Sequence, residues 1–148
     1  MMTGDPFSTN IPNNFIVIDD DSINNIVSKF TILRYNKDAE IQLFNNPELA
    51  LEVIREIISQ KDHQRNMVIL LDINMPIMSG WEFLDEFAEL GNAVNNRFSF
   101  YMLSSSIDDT DMEKSEKHEL VSGFFSKPLT EKHLHVISAD FSTVEPEN

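Results

Sequence analysis

The sequence predicts an α/β protein whose mostly parallel sheet is covered by helices on both faces. Short apolar segments and segments with helical periodicity alternate five times along the chain. The most apolar segments are runs of Val, Ile and Leu without polar alternation, as in strands that are buried on both faces. Four of the apolar segments end abruptly in a polar residue, which places these polar residues together at the carboxyl edge of one sheet.

The first two predicted strands flank a helix near the start of the chain. Phe15–Ile18 is an apolar run that stops at Asp19–Asp21, and Ser22 is suited to cap the helix that follows. Glu40–Phe44 alternates apolar and polar residues, which is typical of a short edge strand. In the helix between these strands, the apolar residues that recur at helical spacing on one face are Ile23, Ile26, Val27 and Phe30.

A second helix leads into the most apolar strand. Asn46 is the expected cap of this helix, and Pro47 suits its first turn. A polar loop at residues 61–64 precedes the apolar run Met67–Leu71, which ends in Asp72. The buried stripe of the helix is predicted to consist of Ala50, Val53, Ile54 and Ile57.

The segment after Asp72 turns into a third helix. Asn74-Met75-Pro76 cannot continue the strand, because proline supplies no donor to the sheet and restricts the residue before it. Ser79-Gly80 opens a helix over Trp81–Leu90, and Gly91-Asn92 ends it. The residues of this helix that are predicted to point inward are Leu84, Phe87 and Ala88.

The last third of the chain adds two strands and two helices. Phe98–Leu103 is a fourth strand that ends in Ser104, and Gly123–Ser126 is a fifth strand that ends in Lys127-Pro128. Asp108–His118, between these strands, is a polar helix with a weak apolar pattern. The final helix has Thr130 as its cap and is predicted to direct Leu134, Ile137 and Phe141 inward.

Composition narrows the possible functions. The length of 148 residues favours one domain, and 41% hydrophobic residues are enough for a core. A formal charge of −14 and a pI near 4.4 argue against a nucleic-acid partner and an anionic membrane surface, since both need clustered Lys and Arg. The absence of cysteine excludes disulfides and thiolate metal sites, and we expect a cytoplasmic protein. Neither a signal peptide nor a bilayer-spanning segment is evident.

The polar residues at the strand ends suit one kind of chemistry. Asp19, Asp20 and Asp72 would bring together carboxylates that stay ionised side by side only with a cation among them. Oxygen donors without imidazole or thiolate favour Mg²⁺. Lys127 adds a positive charge suited to a phosphoryl oxygen, and Ser104 adds a hydrogen-bond donor. This set favours phosphoryl transfer to a carboxylate, which forms an aspartyl phosphate.

Each motif also has a simpler interpretation. Asp19–Asp21 could be a solvated turn whose carboxylates cap a helix, and Ser104-Ser105-Ser106 could be a polar loop. Lys127 could be a surface lysine beside a turn proline, and Phe124 could be an ordinary core aromatic. The occurrence of all these motifs at corresponding strand ends favours the functional interpretation. The four histidines show no ligand spacing with the acids.

Four segments resemble the receiver domain of two-component response regulators, the family of CheY-like proteins. They are FIVIDDDS (Phe15–Ser22), VILLDINMPIMSGWEFL (Val68–Leu84), YMLSSS (Tyr101–Ser106) and GFFSKPL (Gly123–Leu129). The resemblance covers residues 14–140, with residues 1–13 as a flexible leader and 141–148 as an acidic tail. It implies a flavodoxin-like, doubly wound, five-stranded parallel sheet in the order 2-1-3-4-5.

The resemblance also implies roles for individual residues. Asp72 is implied to be the phosphoacceptor, with Asp20 as a direct Mg²⁺ ligand and Asp19 as a ligand through water. The other implied roles are a Mg²⁺ ligand at the backbone carbonyl of Asn74, a switch hydroxyl at Ser104, a phosphoryl-binding cation at Lys127 with a cis bond to Pro128, and a switch aromatic at Phe124. Phe124 departs from the tyrosine that is often found there, so signalling through a tyrosine hydroxyl is not expected.

The implied function is that of a single-domain response regulator. A sensor histidine kinase or a histidine phosphotransfer protein would donate the phosphoryl group to Asp72, and the chain would catalyse its own phosphorylation and slow dephosphorylation. No DNA-binding output domain is expected, so the signal would pass by docking to a downstream protein or by phosphoryl relay. The alternative is a phosphorylation-independent interaction module. A flavin site is disfavoured because Asp19–Asp21 would repel the phosphate of the flavin. A phosphatase with an Asp nucleophile is disfavoured because the second acid expected two residues after the nucleophile is Asn74 here.

Overall fold

The computed structural model describes residues 12–60, 66–90, 97–106 and 108–143. Its elements, in chain order, are β1 (Asn14–Ile18), α1 (Ser22–Tyr35), β2 (Glu40–Phe44), α2 (Pro47–Ser59), β3 (Met67–Asp72), α3 (Gly80–Ala88), β4 (Phe98–Ser104), α4 (Asp109–Lys117), β5 (Val121–Ser126) and α5 (Glu131–Thr143). Residues 1–11 of the expected leader (1–13), the loop at 61–64, the helix stop at 91–92 and residues 144–148 of the expected tail (141–148) lie outside the described residues. Residues 141–143, predicted to belong to the tail, form the end of α5. Within the described ranges, no helix has the length and apolar character needed to cross a membrane.

The sheet has the predicted order. All five strands are parallel and are arranged β2-β1-β3-β4-β5. β3 lies in the centre and is buried along its whole length, which explains its unbroken apolar sequence. The register pairs Ile18 with Leu71 and Asp72 with Leu103, so neighbouring strands end at the same level. The residues that follow each strand therefore meet at one edge of the sheet.

The hydrophobic core consists of two layers, one on each face of the sheet. Alternate residues of β3 point to opposite faces: Ile69 packs with residues of α2 and α3, and Val68 packs with residues of α1 and α5. On the first face, Phe87 of α3 packs edge-on against Phe100 of β4, with ring centroids 4.8 Å apart. This arrangement confirms the doubly wound architecture with helices on both faces.

The apolar face of α1 lies on the protein surface. Its members, which we call the α1 apolar face, are Ile23 (71% exposed), Ile26 (48%), Val27 (38%) and Phe30 (59%). The residues of α1 that are buried against the sheet are Asn25, Ser28, Thr31 and Ile32. Two of these polar side chains donate to backbone carbonyls: the hydroxyl of Thr31 to that of Val27 at 2.9 Å, and the amide of Asn25 to those of Asp19 and Phe44. The helical spacing thus predicts which residues share a face but not that this face remains uncovered.

The interiors of α2 and α3 differ from the prediction at single positions, whereas that of α5 agrees. In α2, Leu51 is buried, whereas Val53, which was predicted to belong to the buried stripe, is only partly buried. In α3, Phe83 is buried. The inward position predicted for Ala88 is wrong, because Ala88 is exposed. In both helices the larger side chain points inward, which buries more apolar area. The predicted inward residues that are buried or packed against the core are Ala50, Ile54, Ile57, Leu84, Phe87, Leu134, Ile137 and Phe141.

Candidate functional site

The loop between β1 and α1 carries three consecutive acids in different environments. Asp19 is buried, and its backbone N–H donates to the carbonyl of Phe44 at the end of β2 at 3.0 Å. The Oδ1 atom of Asp19 accepts from the N–H of Asp21 at 2.9 Å, which turns the chain into α1. Asp21, rather than the predicted Ser22, caps this helix. Asp20 is exposed between the two, so Asp19 and Asp20 are the acids available to the site.

Asp72 is held at the end of β3 by the backbone around it. The N–H of Asn74 donates to Oδ1 of Asp72 at 3.2 Å, and the N–H of Ile73 donates to the carbonyl of Leu103 at 3.0 Å. Helix α3 begins close by: a Cβ atom on Gly80 would lie 2.7 Å from the carbonyl oxygen of Asp72, which is closer than side chains approach. Glycine at this position therefore allows α3 to begin directly against the end of β3.

Lys127 follows β5 and reaches the acids at the ends of β1 and β3. Its Nζ atom lies 2.7 Å from Oδ2 of Asp19 and 3.1 Å from Oδ1 of Asp72. Its backbone N–H donates to the carbonyl of Ser104 at 2.8 Å, and its bond to Pro128 is cis. Burial alone would lower the pKa of Lys127, but hydrogen bonds and charge from the two carboxylates outweigh burial and raise this pKa. The ammonium group therefore stays charged between the two acids.

The site has more negative charge than one lysine can offset. Carboxylate oxygens of Asp19, Asp20 and Asp72 all lie within 4.8 Å of one another. Burial and the charge of Asp19 raise the pKa of Asp72 from 3.8 to about 7, although Lys127 acts in the opposite direction. Clustered carboxylate oxygens with excess negative charge fit a hard divalent cation such as Mg²⁺.

The other predicted site residues lie at the margin of this cluster. Ser104 is buried at the end of β4, and its hydroxyl donates to the carbonyl of Ser106 at 2.6 Å. Asn74 is exposed two residues beyond Asp72. Phe124 of β5 is half-buried and lines a groove of about 360 Å³ next to α4. The structure thus brings the acids and the lysine together, with the hydroxyl of Ser104 engaged locally.

Two residues near the site make contacts that the sequence pattern does not predict. Asn25 of α1 is buried, and its Nδ2 atom donates to the carbonyls of Asp19 at 3.0 Å and Phe44 at 3.2 Å. Trp81, in the first turn of α3, donates its indole N–H to Asp111 of α4 at 3.2 Å and so links the two helices. The only signal for Asn25 is a polar residue within a helix; its partners are 6 and 19 residues away in the chain, where periodicity carries no information.

The sequence model of the response regulator receiver domain matches residues 15–138, so the chain belongs to this family. Among solved structures, the chain is similar to a two-component response regulator from Cytophaga hutchinsonii, with 30% identity, 89% of this chain and 98% of that chain covered, and a TM-score of 0.81. The chain is also similar to a response regulator receiver protein from Dyadobacter fermentans, with 28% identity, 87% of this chain and 97% of that chain covered, and a TM-score of 0.75. A two-component response regulator from Legionella pneumophila, at 20% identity, coverage of 89% and 99% and a TM-score of 0.71, shows the shared fold. A search of the curated proteins finds no match.

Proposed function

We propose that the chain is a response regulator that accepts a phosphoryl group on Asp72 from the phosphohistidine of a sensor histidine kinase or a histidine phosphotransfer protein. The observation that carries this proposal is the position of Lys127, whose ammonium lies 3.1 Å from Asp72 and 2.7 Å from Asp19. A structural ion pair needs one acid for one lysine. Here the ammonium contacts two carboxylates, and an oxygen of a third, that of Asp20, lies within 4.8 Å of theirs, which leaves negative charge for a divalent cation to offset.

The proposed reaction is an in-line displacement at phosphorus. A carboxylate oxygen of Asp72 attacks, the new P–O bond forms as the P–N bond to histidine breaks, and the imidazole leaves with the electron pair. Lys127 binds one phosphoryl oxygen through its ammonium group. The hydroxyl of Ser104 leaves the carbonyl of Ser106 and donates to another phosphoryl oxygen. Mg²⁺, when held by Asp19, Asp20, Asp72 and the carbonyl of Asn74, would neutralise charge on the phosphoryl group.

The α1 apolar face supports a protein as the phosphodonor. This face begins in the first turn of α1, immediately after the acids of the β1–α1 loop. Ile77, in the loop that follows Asp72, is also exposed, at 57%. A histidine on a protein reaches Asp72 only if the surrounding surface of that protein covers residues beside the site, and exposed apolar side chains favour such contact. We therefore place the phosphodonor against this face.

The output is proposed to pass through the groove beside Phe124. This groove lies between α4 and β5, and Met112 of α4 lines it together with Phe124. When the Ser104 hydroxyl changes partner, the backbone at Ser105 and Ser106 shifts, and Phe124, which already packs in part against the core, can turn further inward. The surface formed by α4, β5 and α5 would then bind a downstream protein, unless the phosphoryl group is relayed onward. Because Phe124 has no hydroxyl, this switch works by packing alone.

The proposed receiver unit extends over residues 14–140, close to the range that the family model matches. We place the protein in the cytoplasm, since a chain without cysteine is compatible with a reducing compartment. The formal charge of −14 supports protein partners over nucleic acids or anionic membrane surfaces.

Phosphorylation by a small phosphodonor tests the proposal directly. The protein is incubated with acetyl phosphate and Mg²⁺, and its intact mass is measured. We expect the mass of one added phosphoryl group on the wild type, none on Asp72→Asn, and wild-type labelling of Asp85→Asn, which changes an exposed acid on α3. A chelator should abolish labelling. Equal labelling of Asp72→Asn refutes the assignment, and a wild type that binds no Mg²⁺ favours a phosphorylation-independent interaction module.

A further inference from the structure

Asn25 is a polar residue on the buried face of α1. It is only 4% exposed and lies in the second turn of the helix, close to the acids of the β1–α1 loop. Its Nδ2 atom donates to two backbone carbonyl oxygens, that of Asp19 at 3.0 Å and that of Phe44 at 3.2 Å. Because carbonyl oxygens only accept hydrogen bonds, the orientation of the amide is determined: its NH₂ group must face them.

This orientation leaves the oxygen of the amide without a partner. Across the part of the chain that the structure describes, the buried Oδ1 atom of Asn25 has no hydrogen-bond partner. A buried oxygen that has lost water and gained no partner opposes folding. A leucine, of similar size, would avoid this penalty. The contribution of Asn25 therefore lies in the two bonds that its nitrogen makes.

These two bonds restrain the backbone that carries Asp19 and Asp20. The N–H of Asp19 donates to the carbonyl of Phe44 at 3.0 Å, and Asn25 binds the carbonyl of Asp19 itself. The planar peptide group between Asp19 and Asp20 is therefore held from α1. The preceding peptide group, which carries the N–H of Asp19, is held from the end of β2. The direction of the exposed Asp20 side chain depends on that peptide plane. One of its carboxylate oxygens lies within 4.8 Å of oxygens of Asp19 and Asp72, so the three residues can share a cation.

We propose that Asn25 is a positioning residue that holds the peptide between Asp19 and Asp20 so that both carboxylates face the same Mg²⁺. This inference rests on the proposed function, because it assigns Asn25 to the same site. Mg²⁺ requires near-ideal octahedral geometry, whereas Ca²⁺ accepts larger and less regular sets of oxygens. A loosened loop therefore weakens Mg²⁺ binding more than Ca²⁺ binding. A loss of helix packing alone lowers stability without changing the preference between the two ions.

The test compares Asn25→Ala with Thr31→Val by calorimetric titration with Mg²⁺ and, separately, with Ca²⁺. Thr31 is a matched control: it is a buried polar residue on the same face of α1, its hydroxyl bonds the carbonyl of Val27 at 2.9 Å, and it lies farther along the helix from the acids. For Asn25→Ala we expect the dissociation constant for Mg²⁺ to rise about tenfold, with a smaller rise for Ca²⁺. Thr31→Val should leave both constants unchanged.

Equal weakening for the two ions, or the same change in Thr31→Val, overturns the positioning role. If circular dichroism shows that Asn25→Ala is unfolded, Asn25→Ser, which keeps a single hydroxyl donor, is judged by the same criteria. Wild-type protein that binds neither ion refutes the proposed function and this inference with it. Wild-type binding of Mg²⁺ with unchanged binding by the Asn25 variant refutes the role of Asn25 alone.

Discussion

Replacing Asp72 by asparagine should stabilise the protein in the absence of divalent cations, although it removes the proposed reactive group. Burial and the charge of Asp19 raise the pKa of Asp72 from 3.8 to about 7, and this value already includes the opposing attraction of Lys127. One pKa unit corresponds to about 1.4 kcal/mol, so ionised Asp72 lowers the free energy of unfolding by up to about 4 kcal/mol above pH 7. Asparagine has nearly the shape of the protonated carboxyl and carries no charge, so the variant avoids this cost.

The pH dependence of this difference has a definite sign. The pKa of Asp72 is higher in the folded than in the unfolded state, so the wild type and the variant should be equally stable below about pH 4. As pH rises, the wild type loses stability relative to the variant, and the full difference in the free energy of unfolding is reached above about pH 7. The assay is urea unfolding of both proteins at about pH 5 and pH 8, with and without Mg²⁺. Mg²⁺ should narrow the gap at the higher pH, since it offsets the buried charge of the wild type. A variant less stable than the wild type at the higher pH without Mg²⁺, or a gap of equal size at both pH values, refutes the electrostatic reasoning.

Three further predictions concern neighbouring residues. Lys127→Met should lower the free energy of unfolding by about 3 kcal/mol without Mg²⁺ at alkaline pH, because it leaves two buried carboxylates, those of Asp19 and Asp72, without the ammonium group between them. In urea unfolding, Mg²⁺ should restore most of this loss. A loss of stability that Mg²⁺ does not relieve would contradict the electrostatic cause. Gly80→Ala should cost about 1–3 kcal/mol in the same assay, since its Cβ would meet the carbonyl oxygen of Asp72 at 2.7 Å; unchanged stability would show that α3 shifts freely. Burial lowers the pKa of His133, so below about pH 6.5 the folded protein binds fewer protons than the unfolded chain and loses stability as pH falls. His133→Gln, tested in the Asp72→Asn background, should remove this loss. A pH profile of stability that the substitution leaves unchanged would exclude His133 as the source of the loss.

The acids and the lysine of the site could be predicted to meet because a single topological rule connects them. Asp72 and Lys127 each follow a short apolar strand, and parallel strands with helical crossovers end at the same edge of the sheet. Local sequence patterns were therefore sufficient to place residues that are far apart in the chain in one site. The distance of 3.1 Å between their charged atoms agrees with that prediction.

The inward face of α1 could not be predicted in the same way. Periodicity identifies residues that share a helix face, but it contains no information on what packs against that face. Asn25 is buried because two carbonyl oxygens at the ends of β1 and β2 lie where its amide can reach them. Ile23 remains exposed because, among the described elements, none covers that side of the helix. The capping of α1 by Asp21 rather than Ser22 also depends on how the loop is held by Asp19.

The sequence by itself determined the alternation of strands and helices, the burial of the most apolar strand on both faces, and the polar residues that gather at one edge, because these properties follow from patterns within each segment and from the handedness of crossovers. The order of the strands in the sheet was implied by the resemblance to receiver domains. Only the tertiary structure decided which face of α1 is covered, how the Ser104 hydroxyl is engaged, and that Asp72 has a pKa of about 7. These properties depend on burial and on distances between atoms from different segments, and neither quantity exists until the segments have packed together.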